Sequence, residues 1–172
     1  MLIFKQLYDS TLKYRHWARL YPNVTGELID IIPNTAANLI TFRFRVKSVR
    51  NANEGYNVWL QFYNVEFSDH PLSTNNSVKI QNKHTEEPLY FEKISLTTKA
   101  NKNYVRVRCS CMDFRYRFAW EDRAVKALYG GIPAKYIRKP GSNRPPVNPK
   151  HIPGMCKHIF DCAKSIEKYF SR

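Results

Sequence analysis

Three cysteines and a histidine are the residues best suited to chemistry. Cys109 and Cys111 stand two apart, and so do Cys156 and His158, with 44 residues between Cys111 and Cys156, a C-x-C … C-x-H arrangement. Thiolate sulfur and imidazole nitrogen suit zinc, and four such ligands complete a tetrahedral structural site. A catalytic zinc needs an open position, so four protein ligands argue for a single structural ion. Two other ligand sets remain open at the level of sequence. Cys162 stands one helical turn after His158 and is able to replace Cys156 or to pack as a small apolar side chain. His151 is an outside candidate, and a metal-free cluster is the bland alternative. A disulfide between Cys109 and Cys111 would be strained.

The elements that must position these ligands follow from periodicity. Val105, Val107, Cys109 and Cys111 alternate with Arg106, Arg108 and Ser110, so one face of a strand supplies core packing and then ligands. Side chains two apart on a strand lie roughly 6–7 Å apart, too far to share one zinc. The strand must therefore bend, and the sequence places the bend at Met112-Asp113. Asp113 then caps a helix running through Phe114, Phe118, Val125 and Leu128 to Gly130-Gly131. Residues 132–154 hold six prolines together with Lys135, Arg138, Lys139, Arg144 and Lys150, a long, stiff, basic loop. A second helix runs from Cys156 to Tyr169 with Ile159, Ala163, Ile166 and Phe170 on its core face. Its first turn lets Cys156 and His158 reach one ion.

The residues upstream form a β region. Ile40, Phe42, Phe44 and Val46 alternate with Thr41, Arg43, Arg45 and Lys47, and Val58, Leu60 and Phe62 alternate with Trp59, Gln61 and Tyr63. This period of two predicts an antiparallel hairpin with one buried face. Its other face mixes arginine with aromatic rings, a composition that suits base stacking and phosphate pairing, and equally suits cross-strand packing, which is favoured. Shorter strands are expected at 28–32, 78–80 and 88–97. At the start, Leu2 and Phe4 alternate as in a short strand. Tyr14, Trp17, Ala18 and Tyr21 then fall on one face of a helix capped by Ser10 or Thr11 and stopped by Pro22. The resulting division is an N-terminal arm with its first strand (1–37), an antiparallel sheet region (38–103) and a metal-binding module (104–172).

The 172 residues suffice for one core, and 43% are hydrophobic, against wholesale disorder. The net charge is +14, of which residues 101–172 carry 16 basic and 5 acidic groups. Such an imbalance attracts polyanions, with Arg106, Arg108, Arg138, Lys139, Arg144 and Lys150 as contact candidates. No apolar run reaches the roughly 18 residues a membrane span needs, and the first residues turn polar too soon for a signal peptide. The sequons at Asn23 and Asn75 read as chance matches, and His16, His70 and His84 as surface histidines. No glycine-rich phosphate loop, paired carboxylates or nucleophile beside a free histidine is present, so an enzyme is not expected.

The run Cys109-Ser-Cys-Met-Asp-Phe114 with Cys156-Lys-His-Ile159 resembles the SWIM-type zinc motif. The insert between its halves is longer than is usual for that motif. Asn148-Pro-Lys-His-Ile-Pro-Gly-Met-Cys-Lys-His158, the proline-rich basic segment before it and Phe114-Arg-Tyr-Arg-Phe-Ala-Trp120 look more like a variant found in structural proteins of large tailed phages. The resemblance covers residues 104–162. It implies a zinc-stabilised, non-enzymatic virion protein of the neck, tail or baseplate, docking on other virion proteins through its basic loop and N-terminal arm. The motif's association with DNA or protein binding implies, as the alternative, a DNA- or RNA-binding module. The expected fold is α+β: an antiparallel sheet followed by a zinc-clasped strand–helix–long loop–helix module.

Overall fold

A computed structural model describes residues 1–14, 26–48, 54–74, 76–81, 86–96, 103–137, 139–141 and 148–169. The expected helix beyond Tyr14 lies outside them, as do the sequon at Asn23, Asn75 of the other sequon, His16, His84, Arg138 and Arg144. The described elements are β1 (Leu2–Ile3), α1 (Phe4–Tyr14), β2 (Gly26–Asn34), β3 (Leu39–Lys47), β4 (Gly55–Tyr63), β5 (Phe67–Ser68), β6 (Ser77–Gln81), β7 (Pro88–Glu92), β8 (Tyr104–Cys109), α2 (Met112–Arg117), α3 (Ala119–Ala124) and α4 (Lys157–Tyr169). The fold is α+β, as the residue pattern predicts.

Five strands form an antiparallel sheet in the order β1-β8-β4-β3-β2, and three form a second sheet in the order β5-β7-β6. All three sequence divisions thus contribute strands to one sheet. Its inward side chains align in rows across three strands: Ile40–Phe62–Val105, Phe42–Leu60–Val107 and Phe44–Val58–Cys109. Every residue in these rows is at most 3% exposed. Burying each large apolar side chain contributes about 1.5–3 kcal/mol, so these rows dominate the core. The last row ends on a metal-ligand candidate, so the core itself fixes Cys109. At the far edge β2 carries Pro33, which an outer strand tolerates because no neighbour needs its missing N–H. The β2–β3 turn places Asn38 at φ 51°, a left-handed conformation asparagine accepts readily. The second sheet adds Ile80, Leu89 and Phe91 to the same core.

Five expectations are corrected. Phe4 is not a strand residue; it opens α1 and is buried with Leu7, while Tyr8 stacks on Phe160 of α4. Ser10 and Thr11 accordingly lie inside the helix and cap nothing. The strand before the ligands ends at Cys109, earlier than Met112-Asp113, and Cys111, not Asp113, is the N-cap of α2. The long helix expected through Leu128 is two short ones that meet at Phe118. Lys126 then takes φ 58° and turns the chain back, so that Val107 donates to the Ala127 carbonyl at 2.8 Å and accepts from the Tyr129 N–H at 3.1 Å. β1 covers β8 only at Tyr104 and Val105. The groups of Val107 on that edge need partners, and strand pairing at 127–129 outweighs helix propagation there.

Candidate metal centre

Cys109, Cys111, Cys156 and His158 converge, with one potential ligand atom from each lying within 4.8 Å of all the others. His158 Nδ1 is 3.6 Å from Cys109 Sγ and 4.0 Å from Cys156 Sγ. A tetrahedral ion bonded to sulfur at about 2.3 Å and nitrogen at about 2.0 Å separates its ligand atoms by roughly 3.5–3.8 Å. The four residues therefore have the geometry to hold a metal ion. All four are at most 5% exposed, which leaves little access for an exchangeable fifth group.

The local backbone explains how residues two apart meet. Ser110 stays tied to β4: its N–H donates to the Asn57 carbonyl at 2.9 Å and its Oγ accepts from the Asn57 N–H at 2.9 Å. The next residue folds over, with the Cys111 N–H 3.4 Å from Cys109 Sγ. Cys111 Sγ in turn accepts from the Phe114 N–H at 3.3 Å. On the other side, Cys156 precedes α4 and His158 stands in its first turn, where Tyr56 stacks on the imidazole at 4.7 Å.

The thiols divide the charge unevenly. Hydrogen bonds from the Cys109 and Cys156 thiols hold the Cys111 thiol far below its usual range, with help from His158 and the Phe114 N–H. Burial pushes Cys109 and Cys156 well up. A dication at the centre would take the place of the thiol protons and make all three sulfurs ligands.

The residues immediately before Cys156 are gripped by three consecutive contacts. The Ser10 hydroxyl donates to the Pro153 carbonyl at 2.8 Å, the Gly154 N–H donates to Asp122 Oδ1 at 2.8 Å, and the Met155 N–H donates to Thr11 Oγ1 at 2.9 Å. At Gly154 a Cβ would lie 2.9 Å from both Thr11 Oγ1 and Phe118 Cε1, so only glycine fits. Asn148 braces the approach, donating to the carbonyls of Arg117 at 3.0 Å and Ile152 at 2.8 Å. Ser10, Thr11, Asp122 and Asn148 thus aim the second ligand pair. In the sequence Ser10 and Thr11 stand between Asp9 and Lys13, and Asp122 between Glu121 and Arg123, so nothing local marks this role.

The alternative ligands are placed elsewhere. Cys162 is fully buried in the core against Gly26, where a Cβ would lie 2.6 Å from its Sγ. His151 is exposed and its Nδ1 is 2.9 Å from Glu121 Oε1. Of the basic contact candidates, Arg106 lies over the Tyr63 ring at 4.9 Å, and Arg108 donates to the carbonyls of Tyr129 and Gly131. Lys139 and Lys150 are exposed on the loop. Among the described residues no helix is long and apolar enough to cross a membrane. No protein-family model, curated protein or solved structure matches the chain.

Proposed function

We propose that the protein is a zinc-stabilised, non-enzymatic assembly component, in which one structural ion clasps β8 to α4. One observation carries this reading: four buried ligand atoms within 4.8 Å of one another, drawn from two segments 44 residues apart. Three sulfurs and one nitrogen favour zinc over the hard, oxygen-seeking cations. A closed ligand set supplies cross-linking rather than Lewis-acid chemistry. Function then falls to the surfaces the clasp holds, the basic loop of residues 132–154 above all. The resemblance to a tailed-phage variant of the SWIM motif supports a place in the virion, in the neck, tail or baseplate, against other virion proteins. Exposed Ile132, Tyr136 and Ile137 beside Lys135 and Lys139 suit a docking loop.

Metal analysis of the purified chain should return one zinc per chain. Cobalt substitution should give the visible bands of a tetrahedral thiolate-rich site, unchanged by added azide or cyanide. A band shift with either anion would reveal an open position and overturn the structural role. Mass spectrometry of purified particles from a host expressing the chain tests the virion reading, and its absence from them would retire it. A second reading, a DNA- or RNA-binding module, is favoured by the excess of 16 basic over 5 acidic groups in residues 101–172.

A further inference from the structure

The outward face of the five-stranded sheet carries its own pattern. Strand register aligns Asp30–Arg43–Trp59–Arg108 in one row, Glu27–Arg45–Asn57 in the next, and Ile32–Thr41–Gln61–Arg106 on the other side. Arg43, Arg45 and Lys47 are exposed, and Trp59 is half-buried. The two acids in these rows sit on β2, at the edge opposite β8.

Trp59 also forms one wall of a cleft of about 410 Å3, with Ser110, Arg115, Ile132, Pro133 and Ala134 among the other walls. Contacts within the chain hold the walls of the cleft. Trp59 stacks on Tyr129 at 6.1 Å with the rings 17° apart. The Arg108 guanidinium holds the Tyr129 and Gly131 carbonyls, anchoring the segment that becomes the far wall. Cys109 and Phe114 line the cleft as well, so the metal clasp stands directly behind it.

We propose that this face binds single-stranded nucleic acid, with one unpaired base entering the cleft beside Trp59 and the phosphates following Arg115, Arg43 and Arg45. The proposal deepens the second reading above and rests on it. Cations alone would serve an acidic protein as well. An aromatic-walled cleft of this volume at the end of the cation row is what favours a strand of unpaired bases, because every base offers a face for stacking. A duplex keeps its bases stacked on one another and can use only the cations.

The test is fluorescence anisotropy on the metal-loaded full chain at two salt concentrations. The probes are a labelled 15-nucleotide oligothymidylate, the matching oligouridylate and a duplex of the same length. The expected result is tighter binding of one or both single strands than of the duplex. Trp59→Ala should weaken it roughly ten- to a hundredfold, and Trp59→Phe should largely retain it. Arg43→Ala, at an exposed position, should lower the salt slope by about 0.7. Metal content confirms that each variant is folded, and Arg43→Ala and Trp59→Phe decide the matter if Trp59→Ala is not. No binding by the wild-type chain would end both this proposal and the nucleic-acid reading. Binding unchanged in Trp59→Ala and Arg43→Ala but lost in Lys139→Ala or Lys150→Ala would overturn the sheet face and leave that reading standing on the loop. Equal affinity for duplex would overturn the base-in-cleft geometry.

Discussion

Breaking the clasp at Cys156 should separate its contribution from that of the core. Cys156→Ser leaves His158 as the one ligand of the second pair and should release the ion, and with it the cross-link across the 44 residues between Cys111 and Cys156. Loop-closure entropy for a loop of that size is worth about 4 kcal/mol at 25 °C. A domain is typically stable by about 5–15 kcal/mol, so this term alone is a large fraction of the total. The three inward rows of the sheet do not depend on the ion for their packing, so the strands should persist in far-ultraviolet circular dichroism. With a urea slope of about 2 kcal/mol/M, the unfolding midpoint should fall by about 2 M. Chelator treatment of the wild-type chain should produce a similar fall. Cys162→Ala is the control: it removes a thiol that packs against Gly26 and leaves the four ligands intact, so one metal per chain should remain. A Cys156→Ser chain with full metal and an unchanged midpoint would refute the ligand assignment, as would loss of metal in Cys162→Ala.

Three further outcomes follow from particular contacts. Gly26→Ala places a Cβ 2.6 Å from Cys162 Sγ, so it should cost about 1–3 kcal/mol in urea unfolding, and adding Cys162→Ala should restore part of that. Additive losses in the double variant would show that the two sites do not touch. Thr11→Val keeps the shape but deprives the Met155 N–H of its acceptor, which should cost about 1–3 kcal/mol and weaken metal retention in a competition with a chromophoric chelator. Unaltered retention would mean that α1 does not aim Cys156. Asp122 is fully buried, with one N–H from Gly154 and no partner for Oδ2 among the described residues, and burial raises its carboxyl well above the usual range. The folded state therefore holds that proton to higher pH than the unfolded state does. Its stabilising effect is complete below the unfolded value near 3.8 and is lost as pH rises toward the folded one. Asp122→Asn should accordingly gain in melting temperature relative to wild type between pH 4 and pH 8; a constant difference would contradict the assignment.

How much of this was legible from residues alone depended on the range of the interaction. The alternation over 40–46 and 58–62 sets which side chains enter the core, because a strand's faces are fixed by its own backbone. The C-x-C and C-x-H pairs pointed to the metal centre because ligand chemistry leaves few residue types to choose from. The helix after Cys111 is shorter than its residue pattern predicts because the decisive contact is nonlocal. Propensity continues through Val125, but the uncovered edge of β8 recruits Ala127–Tyr129 instead, and no local signal shows that β1 is too short to cover it. α1 carries no comparable local signal for a similar reason, and the stripe beyond Tyr14 lies outside the described residues. Tyr14, Trp17 and Tyr21 offered a clean helical stripe, whereas Phe4, Leu7 and Tyr8 became a core face only once α4 was beside them.

Those nonlocal contacts also decide what the clasp can be. Cys109 is set by a core row, Cys111 by a helix cap, and Cys156 by hydroxyls from α1 and a carboxyl from α3. His158 is set by α4 and the ring of Tyr56. Four ligands aimed by four separate parts of the fold give a site that cannot form before the chain has come together. The ion would then bind the native state far more tightly than the unfolded chain, and that difference in affinity is the stabilisation it provides. The same arrangement places the back of the Trp59 cleft on Cys109 and Phe114, so losing the ion should disturb the cleft before it disturbs the inward rows of the sheet.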